Sequence, residues 1–396
     1  MIDGSGSWAL RLRNGQAVFD EFMEAAPFPI SRATLARRTG LSKPTVSALV
    51  SDLEDAGVVS LIPPEASRGR IGRPAAPYAL VPDAALVVGV DMGATKVIVG
   101  VADLLGRVLA EDRIDTASHA RAAVDAVVGS TTRLLANLGK GHLLESGCVG
   151  VPGVYRPRSD RVEMSPNLAG FAGLPIRAEL SERLGVPVTI ENDVNLAAVA
   201  EAEAMDDRGG LDFVAISVGT GIGAGLVMDG KLYRGGHGAA GELGSIDISG
   251  ASDDRTGRLT LEDVAAAPAI RKRFRQAMDT GLTSRLARDA EVSEILLAAS
   301  SGDEAASEAL GIAAEAMASA VAWLCWFSDP ARIVFGGGVG SNPIFVDAVR
   351  AKLDGHLDET PELVASALGN RAAFMGAIST ARASVRTTFV RGRLGR

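Results

Sequence analysis

Apolar positions recur at helical spacing three times in the first eighty residues. Val18, Phe19 and Phe22 mark a helix over 15–25. Ser31 caps a second helix, ATLARRTG, which Gly40 stops. Ser42 caps a third, with Pro44 in its first turn and Val46, Leu49, Val50 and Leu53 as its buried stripe. Gly57 ends it, and two short strand runs follow, VVSLI and YALV, on either side of a Pro-, Gly- and Arg-rich segment, 63–77. Helix, short turn with glycine, capped helix and two-stranded wing is the pattern of a winged helix-turn-helix. Opposite the buried stripe, Thr45, Ser47, Ala48 and Ser51 are small, which suits entry into a major groove. Ser42, Lys43 and Thr45, at the helix start, are placed for phosphates or base edges. Arg68, Arg70 and Arg73 sit on a loop whose Gly and Pro neighbours let arginine lie in a minor groove. A small helical interaction domain with a solvated basic loop would share much of this pattern.

Beyond residue 83 the pattern changes. Apolar strand runs (LVVGVD, KVIVGVAD, RVLAEDRI, CVGVPGV, VPVTI, FVAISVG, RIVFGGG) alternate with helical runs at 121–138, 174–184, 194–204, 262–278 and 305–327. This is an α/β arrangement. Two Gly-rich strand turns lie more than a hundred residues apart, which points to two related lobes.

Composition narrows the classes. The 396 residues are 47% hydrophobic, enough for large cores, and two cysteines exclude a disulfide framework and a four-thiolate metal site. The start of the chain does not read as a signal peptide, and no run reaches the roughly 18 uninterrupted apolar residues of a membrane span. A cytoplasmic protein with no membrane partner is expected. The net charge of −8, if uniform, would argue against nucleic acid. It is not uniform: residues 31–73 hold seven Lys/Arg against four Asp/Glu. That modest excess predicts that DNA affinity needs a dimer.

Six segments carry candidate chemistry. DMGATK, 91–96, is a hairpin between strands whose glycine lets backbone N–H groups approach phosphate, with Thr95, Lys96 and Asp91 beside it. A plain glycine hairpin with a surface lysine looks similar. In SVGTGIGAG, 217–225, glycine alternates along a strand, stripping one face as a close-lying nucleotide requires; packing against another element would ask for the same. GGGVG, 336–340, follows a buried strand and is able to pass an adenine or ribose. END, 191–193, precedes a helix; Asp193 there could take a proton from a bound hydroxyl, and Asn and Asp are also ordinary N-caps. Glu242 lies in GAAGELG and Glu262 in LTLEDVAA.

Taken in order, these segments resemble the ROK family of repressors, open reading frames and kinases. VGVDMGATK, VPGV, SPNLAGF, ENDVNLAAVAE, GTGIGAGLVMDGKLYRGGHGAAGELG and IVFGGGV carry the resemblance across 84–380. The N-terminal region is similar to the family's repressor branch. The resemblance implies an N-terminal winged helix-turn-helix, 1–82, and a two-lobed actin-like (ribonuclease H-like) sugar-kinase-type domain. Its lobes would be 83–200 and 201–385, the second with a C-terminal return helix; the four arginines of 386–396 read as a disordered basic tail. It implies that Asp91, Gly93, Thr95 and Lys96 face phosphate together with Gly219, Thr220, Gly221 and Gly223, with Gly337 and Gly338 on the adenosine side. It implies that Gly153, Asn192, Asp193, Glu242 and Glu262 contact sugar hydroxyls, and that Asp193 is the general base if the chain is a kinase. Where the family carries His and a CxCGxxGCxE zinc motif, this chain has Ser245 and no cysteine up to Glu262, so zinc is not expected. His237 reads as a loop residue.

The expected function is a sugar-responsive DNA-binding regulator, a repressor of carbohydrate-related genes. The alternative is an ATP-dependent sugar kinase acting on a hexose or amino sugar. Expected partners are a double-stranded operator, a sugar or sugar-phosphate effector and a second copy, as a homodimer or dimer of dimers. No cofactor is required for the regulator; ATP with Mg²⁺ belongs to the kinase alternative.

Overall fold

The computed structural model describes residues 4–63, 76–93, 95–117, 119–163, 174–205, 211–248, 259–354, 356–357 and 359–394. Along the chain come α1 (Gly4–Ala25), β1 (Ile30–Ser31), α2 (Arg32–Thr39), α3 (Lys43–Asp55), β2 (Val59–Leu61) and β3 (Pro77–Leu80). Next are β4 (Leu86–Met92), β5 (Lys96–Asp103), β6 (Val108–Asp115), α4 (Ala120–Leu138), β7 (Leu144–Val151), β8 (Val154–Arg156) and β9 (Arg161–Glu163). Then follow α5 (Ile176–Leu184), β10 (Val188–Asn192), α6 (Asp193–Ala204), β11 (Phe213–Val218), β12 (Ile222–Met228) and β13 (Lys231–Tyr233). After these come α7 (Glu262–Ala265), α8 (Ala267–Asp279), α9 (Val292–Ser300) and α10 (Glu304–Ser328). The chain ends with β14 (Arg332–Gly336), α11 (Gly337–Gly340), α12 (Pro343–Leu353), β15 (Glu362–Ala365) and α13 (Ala372–Leu394).

Two compact units divide these elements: residues 1–149, 166–190 and 377–396 form one, and 150–165 with 191–376 the other. The expected boundaries at 82 and 200 are therefore not the boundaries of compactness. The winged helix shares a unit with the first lobe. α6 leaves that lobe because its small side packs on β12: a Cβ at Gly225 would lie 2.7 Å from the Ala198 Cβ and 2.9 Å from the Val194 carbonyl oxygen.

In the first unit, Phe19, Phe22, Leu35, Val46, Val50 and Leu53 are buried between α1, α2 and α3. The Ser31 Oγ accepts the Thr34 N–H at 3.1 Å, and Gly40 stops α2 with φ 70°. The wing sheet has the order β1-β3-β2, one strand more than the sequence pattern predicts. α1 also begins earlier than the predicted residue 15, and Leu12 in its added turns is buried. The lobe sheet has the order β10-β7-β4-β5-β6, with β4, β5 and β6 antiparallel.

α13 corrects the expected disordered tail. Helix continues through Arg386 to Leu394 because Phe389 is buried against Phe19 of α1, with ring centroids 5.6 Å apart. The Arg386 guanidinium lies 3.4 Å from Asp20 and 3.7 Å from Glu24, and its carbonyl accepts a hydrogen bond from Gln16. The four arginines of this segment carry no local signal of that burial.

The second unit is built on the sheet β13-β12-β11-β14-β15, with β11, β14 and β15 parallel. The predicted helix over 262–278 is broken at Ala266, whose extended backbone separates α7 from α8 ahead of Pro268. α10 is long and apolar enough to cross a membrane. One of its faces, including Ala309, Ala313, Met317 and Val321, is buried in the core of this unit.

Candidate functional site

Gly153, Asn192 and Asp193 come together at the start of α6. The Asn192 Oδ1 accepts the Asn195 N–H at 2.9 Å and so caps the helix. Its Nδ2 donates to the Gly153 carbonyl at 3.0 Å, which ties α6 to the turn before β8. Gly153 holds φ 102°, a conformation that glycine adopts without strain. Capping does not exhaust the Asn192 amide, since these two bonds leave one of its N–H groups uncommitted. The Asp193 Oδ1 accepts the Val194 N–H at 2.9 Å, at the first turn of the helix.

Glu191 was not singled out in the sequence, yet it organises this corner. It is buried, its Oε1 accepts the Asn192 N–H and the Asn195 amide, and its Oε2 pairs with Arg234 at 2.6 Å. Arg156, on β8, bonds Glu163 at 2.9 Å and the His237 carbonyl, so it ties the β8–β9 hairpin to the loop that carries Glu242. The available signal for both was charge within a motif: an acid in END and an arginine beside VPGV.

The Glu242 loop is fitted by glycine. Gly241 has φ 90°, and a Cβ there would lie 1.8 Å from the Ala224 carbonyl oxygen on β12. A Cβ at Gly244 would lie 2.4 Å from the Ile222 carbonyl oxygen. The Glu262 Oε2 accepts the Ile222 N–H at 2.9 Å. Burial pushes the Glu242 carboxyl above its ordinary pKa; repulsion from Glu262 adds to this, and the Arg156 charge opposes it. Two carboxylates and an arginine thus sit near one another, a set suited to hydroxyl groups.

The alternating glycines are used differently from their expected role. A Cβ at Gly221 would meet the Glu262 carboxylate at 2.8 Å, and one at Gly223 the Val194 side chain at 3.0 Å. The stripped face of β12 thus serves Glu262 and α6, and the space above Gly223 is filled by protein. Gly219 is the open one: its nearest neighbour is the Gly338 N, 3.9 Å from where a Cβ would be. A Cβ at Gly338 would meet nothing within 4 Å, whereas one at Gly337 (φ 77°) would lie 2.5 Å from the Val218 carbonyl oxygen. Thr220 borders a cavity of about 470 Å³, together with Glu262, Ala266, Lys272 and Gln276. The Thr220 hydroxyl and the Lys272 ammonium beside open space are groups suited to phosphate and sugar oxygens.

In the first unit, the β4–β5 hairpin closes with the Gly93 N–H on the Lys96 carbonyl at 2.9 Å. The Thr116 hydroxyl donates to the Gly93 carbonyl at 2.7 Å, and Thr95 is exposed. Lys96 pairs with Asp115 on β6. Burial alone pushes the Asp91 carboxyl up to about 6.

At the recognition helix, Ser42 and Thr45 spend their hydroxyls on each other and on the cap: the Ser42 Oγ lies 2.8 Å from the Thr45 hydroxyl and accepts the Thr45 N–H. Lys43 and Ser51 are exposed and Ser47 is half-buried on the face opposite Val46 and Val50. Arg68, Arg70 and Arg73 lie outside the described residues, as do Ala94 and SPNLAGF.

Comparison with known proteins adds three kinds of finding. A model of the ROK family matches residues 87–384, and one of the MarR family matches 20–70. The xylose repressor of Caldicellulosiruptor bescii is 28% identical over 320 residues, covering 78% of this chain and 79% of that protein. Among solved structures, a ROK family transcriptional regulator, homologue of the E. coli MLC protein, superposes with a TM-score of 0.80 at 22% identity, over 97% of this chain and 99% of the other. A ROK family glucokinase from Streptomyces griseus, in complex with glucose and AMPPNP, gives 0.62 at 28% identity, over 75% of this chain and 99% of its own.

Proposed function

The chain belongs to the ROK family, and from that premise we propose that it is a sugar-responsive transcriptional regulator, a repressor of carbohydrate-related genes. The observation that carries this is the winged helix ahead of the ROK domain, with a capped recognition helix and a small, exposed outer face. The glucokinase comparison leaves about a quarter of this chain without a counterpart. The regulator acts in the cytoplasm as a homodimer on a double-stranded operator. Lys43, Ser47 and Ser51 face the major groove, Ser42 and Thr45 hold the helix start against phosphate, and Arg68, Arg70 and Arg73 enter the minor groove.

The effector is a sugar or sugar phosphate held by Gly153, Asn192, Asp193, Glu242 and Glu262. α13 meets α6 near its start and α1 near its end. At its start, a Cβ on Gly376 would lie 1.8 Å from the Leu196 carbonyl oxygen of α6, the helix that presents Asn192 and Asp193. At its end, Phe389 and Arg386 hold α1.

The test is operator binding on a pseudopalindromic duplex, titrated with salt and with a sugar panel. Affinity that falls with salt and changes with one sugar is expected. No salt-dependent binding to any duplex would remove the proposal.

A second reading, a sugar kinase, rests on Asp193 at the first turn of α6 and on the open Gly219, Thr220 and Gly338. In it, Asp193 takes the hydroxyl proton, and Asp91, Gly93, Thr95 and Lys96 serve the phosphates. ADP release across the panel, compared with Asp193→Ala, decides it: equal rates in both proteins exclude the kinase.

A further inference from the structure

The recognition helix α3 places its charges against its own dipole. Lys43 opens it, and Asp52, Glu54 and Asp55 fill its last turn, where the carbonyl ends favour cations. Carboxylates at this end also repel a DNA backbone. Thr45, Ala48 and Asp52 recur at i, i+3 and i+7, so they form one stripe along the helix. Asp52 therefore stands at the edge of the face on which Ala48 and Ser51 are exposed. α1 borders this edge and offers a cation to it: the Arg11 Nη2 donates to the Asp52 Oδ2 at 2.7 Å. Leu12, the next residue of α1, is buried, which fixes where the arginine stem leaves the helix. The Arg11 and Asp52 side chains are 57% and 28% exposed, so their pairing contributes little to folding. Among the described residues the Arg11 Nε and Nη1 have no partner, which leaves much of its planar fork able to donate.

We propose that Arg11 is a further DNA-binding residue, which grips a backbone phosphate beside the groove while Asp52 holds its guanidinium in place. Resting on the regulator reading, this adds α1 to the surface that meets DNA. An arginine with one edge on a carboxylate and the other open is preorganised, so it loses less side-chain freedom when a phosphate arrives. Asp52 is then a positioning residue, and Arg11 offsets its repulsion of the phosphate. Asp52 without Arg11 would only weaken a DNA complex. The contact reads no base, so it acts alike on all sequences.

The test is binding of the full chain to a mixed-sequence duplex, followed by fluorescence anisotropy from low to high salt, which needs no known operator. Arg11→Met keeps the stem and removes the charge. It should weaken binding and flatten the plot of log affinity against log salt by roughly 0.9 for each bound copy, the slope of one phosphate contact. Asp52→Asn gives the sharper sign. By plain electrostatics, removing a negative charge near DNA tightens binding; the positioning role predicts weaker binding instead. In the Arg11→Met background there is no guanidinium to position, and there Asp52→Asn should tighten binding. Each variant should melt close to the wild type, because only an exposed pair is lost, so weaker binding is not loss of fold. Lys43→Met separates this contact from the reading beneath it. If Lys43→Met flattens the salt plot and Arg11→Met does not, the regulator reading stands and the α1 contact falls. Asp52→Asn that tightens binding in both backgrounds also overturns the proposal. A wild type with no salt-dependent binding removes the reading and the contact together.

Discussion

The two ends of α13 make different kinds of contact. At Gly376 the helix presses on the backbone of α6 with no room for a methyl group. At Phe389 and Arg386 it meets α1 through a buried ring and partly exposed ion pairs. The first contact is set by backbone sterics, which neither salt nor pH alters. The second is assembled from side chains, so it can loosen by degrees. A helix fixed where it meets α6 and adjustable where it meets α1 would suit the proposed regulator.

The largest expected effect is at the fixed end. Gly376→Ala places a Cβ 1.8 Å from a carbonyl oxygen, so α6 or α13 must shift as a body. Overpacking of this severity costs about 3 kcal/mol or more. A melting temperature lowered by many degrees, with sugar binding reduced, is the expected outcome. A variant that melts like wild type would mean this end is not fixed.

Phe389→Ala tests the other end. Removing a buried phenylalanine ring costs about 3–5 kcal/mol where the core holds it on all sides. Here the loss should fall on the α1–α13 joint. Hydrogen exchange in α1 should rise, and operator affinity should fall while sugar affinity is kept. Equal loss of both would break the distinction between the ends.

This joint was also where the sequence was least legible. The winged helix could be read because its caps and glycines act locally: Ser31, Gly40 and Ser42 do what their types predict. The ROK blocks could be read from their order. The helical tail could not, because Phe389 becomes apolar core only when Phe19, 370 residues earlier, is beside it. The glycines of β12 were recognised as a stripped face, but what fills that face is α6, a tertiary fact with no local signal. Glu191 and Arg234 were within recognised motifs, and only folding pairs them.

Between its ends α13 rests on β4, where a Cβ at Gly89 would lie 2.6 Å from the Ile378 side chain, two residues from Asp91. Burial pushes the Asp91 carboxyl up to about 6, from 3.8. The folded state therefore prefers the protonated form. Stability from that preference is complete below the unfolded pKa and is lost as pH rises through the folded one. Asp91→Asn should stabilise the protein by up to about 3 kcal/mol above pH 6, with the gain shrinking toward zero near pH 4. Melting curves of both proteins across this range test it. A gain independent of pH would place its cause outside the titration of this carboxyl.

The smallest effect separates the two ends most cleanly. Arg386→Ala removes the 3.4 Å and 3.7 Å contacts with Asp20 and Glu24 but leaves Phe389 in place. These side chains are each at least a third exposed, so the loss should be only about 0.2–1 kcal/mol. It should also fade with added salt, because ions screen exposed charges over about 10 Å at 0.1 M. Gly376→Ala should lose the same stability at every salt concentration, since a steric clash has no charge to screen. Melting both variants at low and high salt makes the comparison direct. If the Arg386→Ala deficit persists in high salt, the arginine holds α1 by packing its apolar stem. Both ends of α13 would then be steric, and the adjustable joint would have to lie in the winged helix itself.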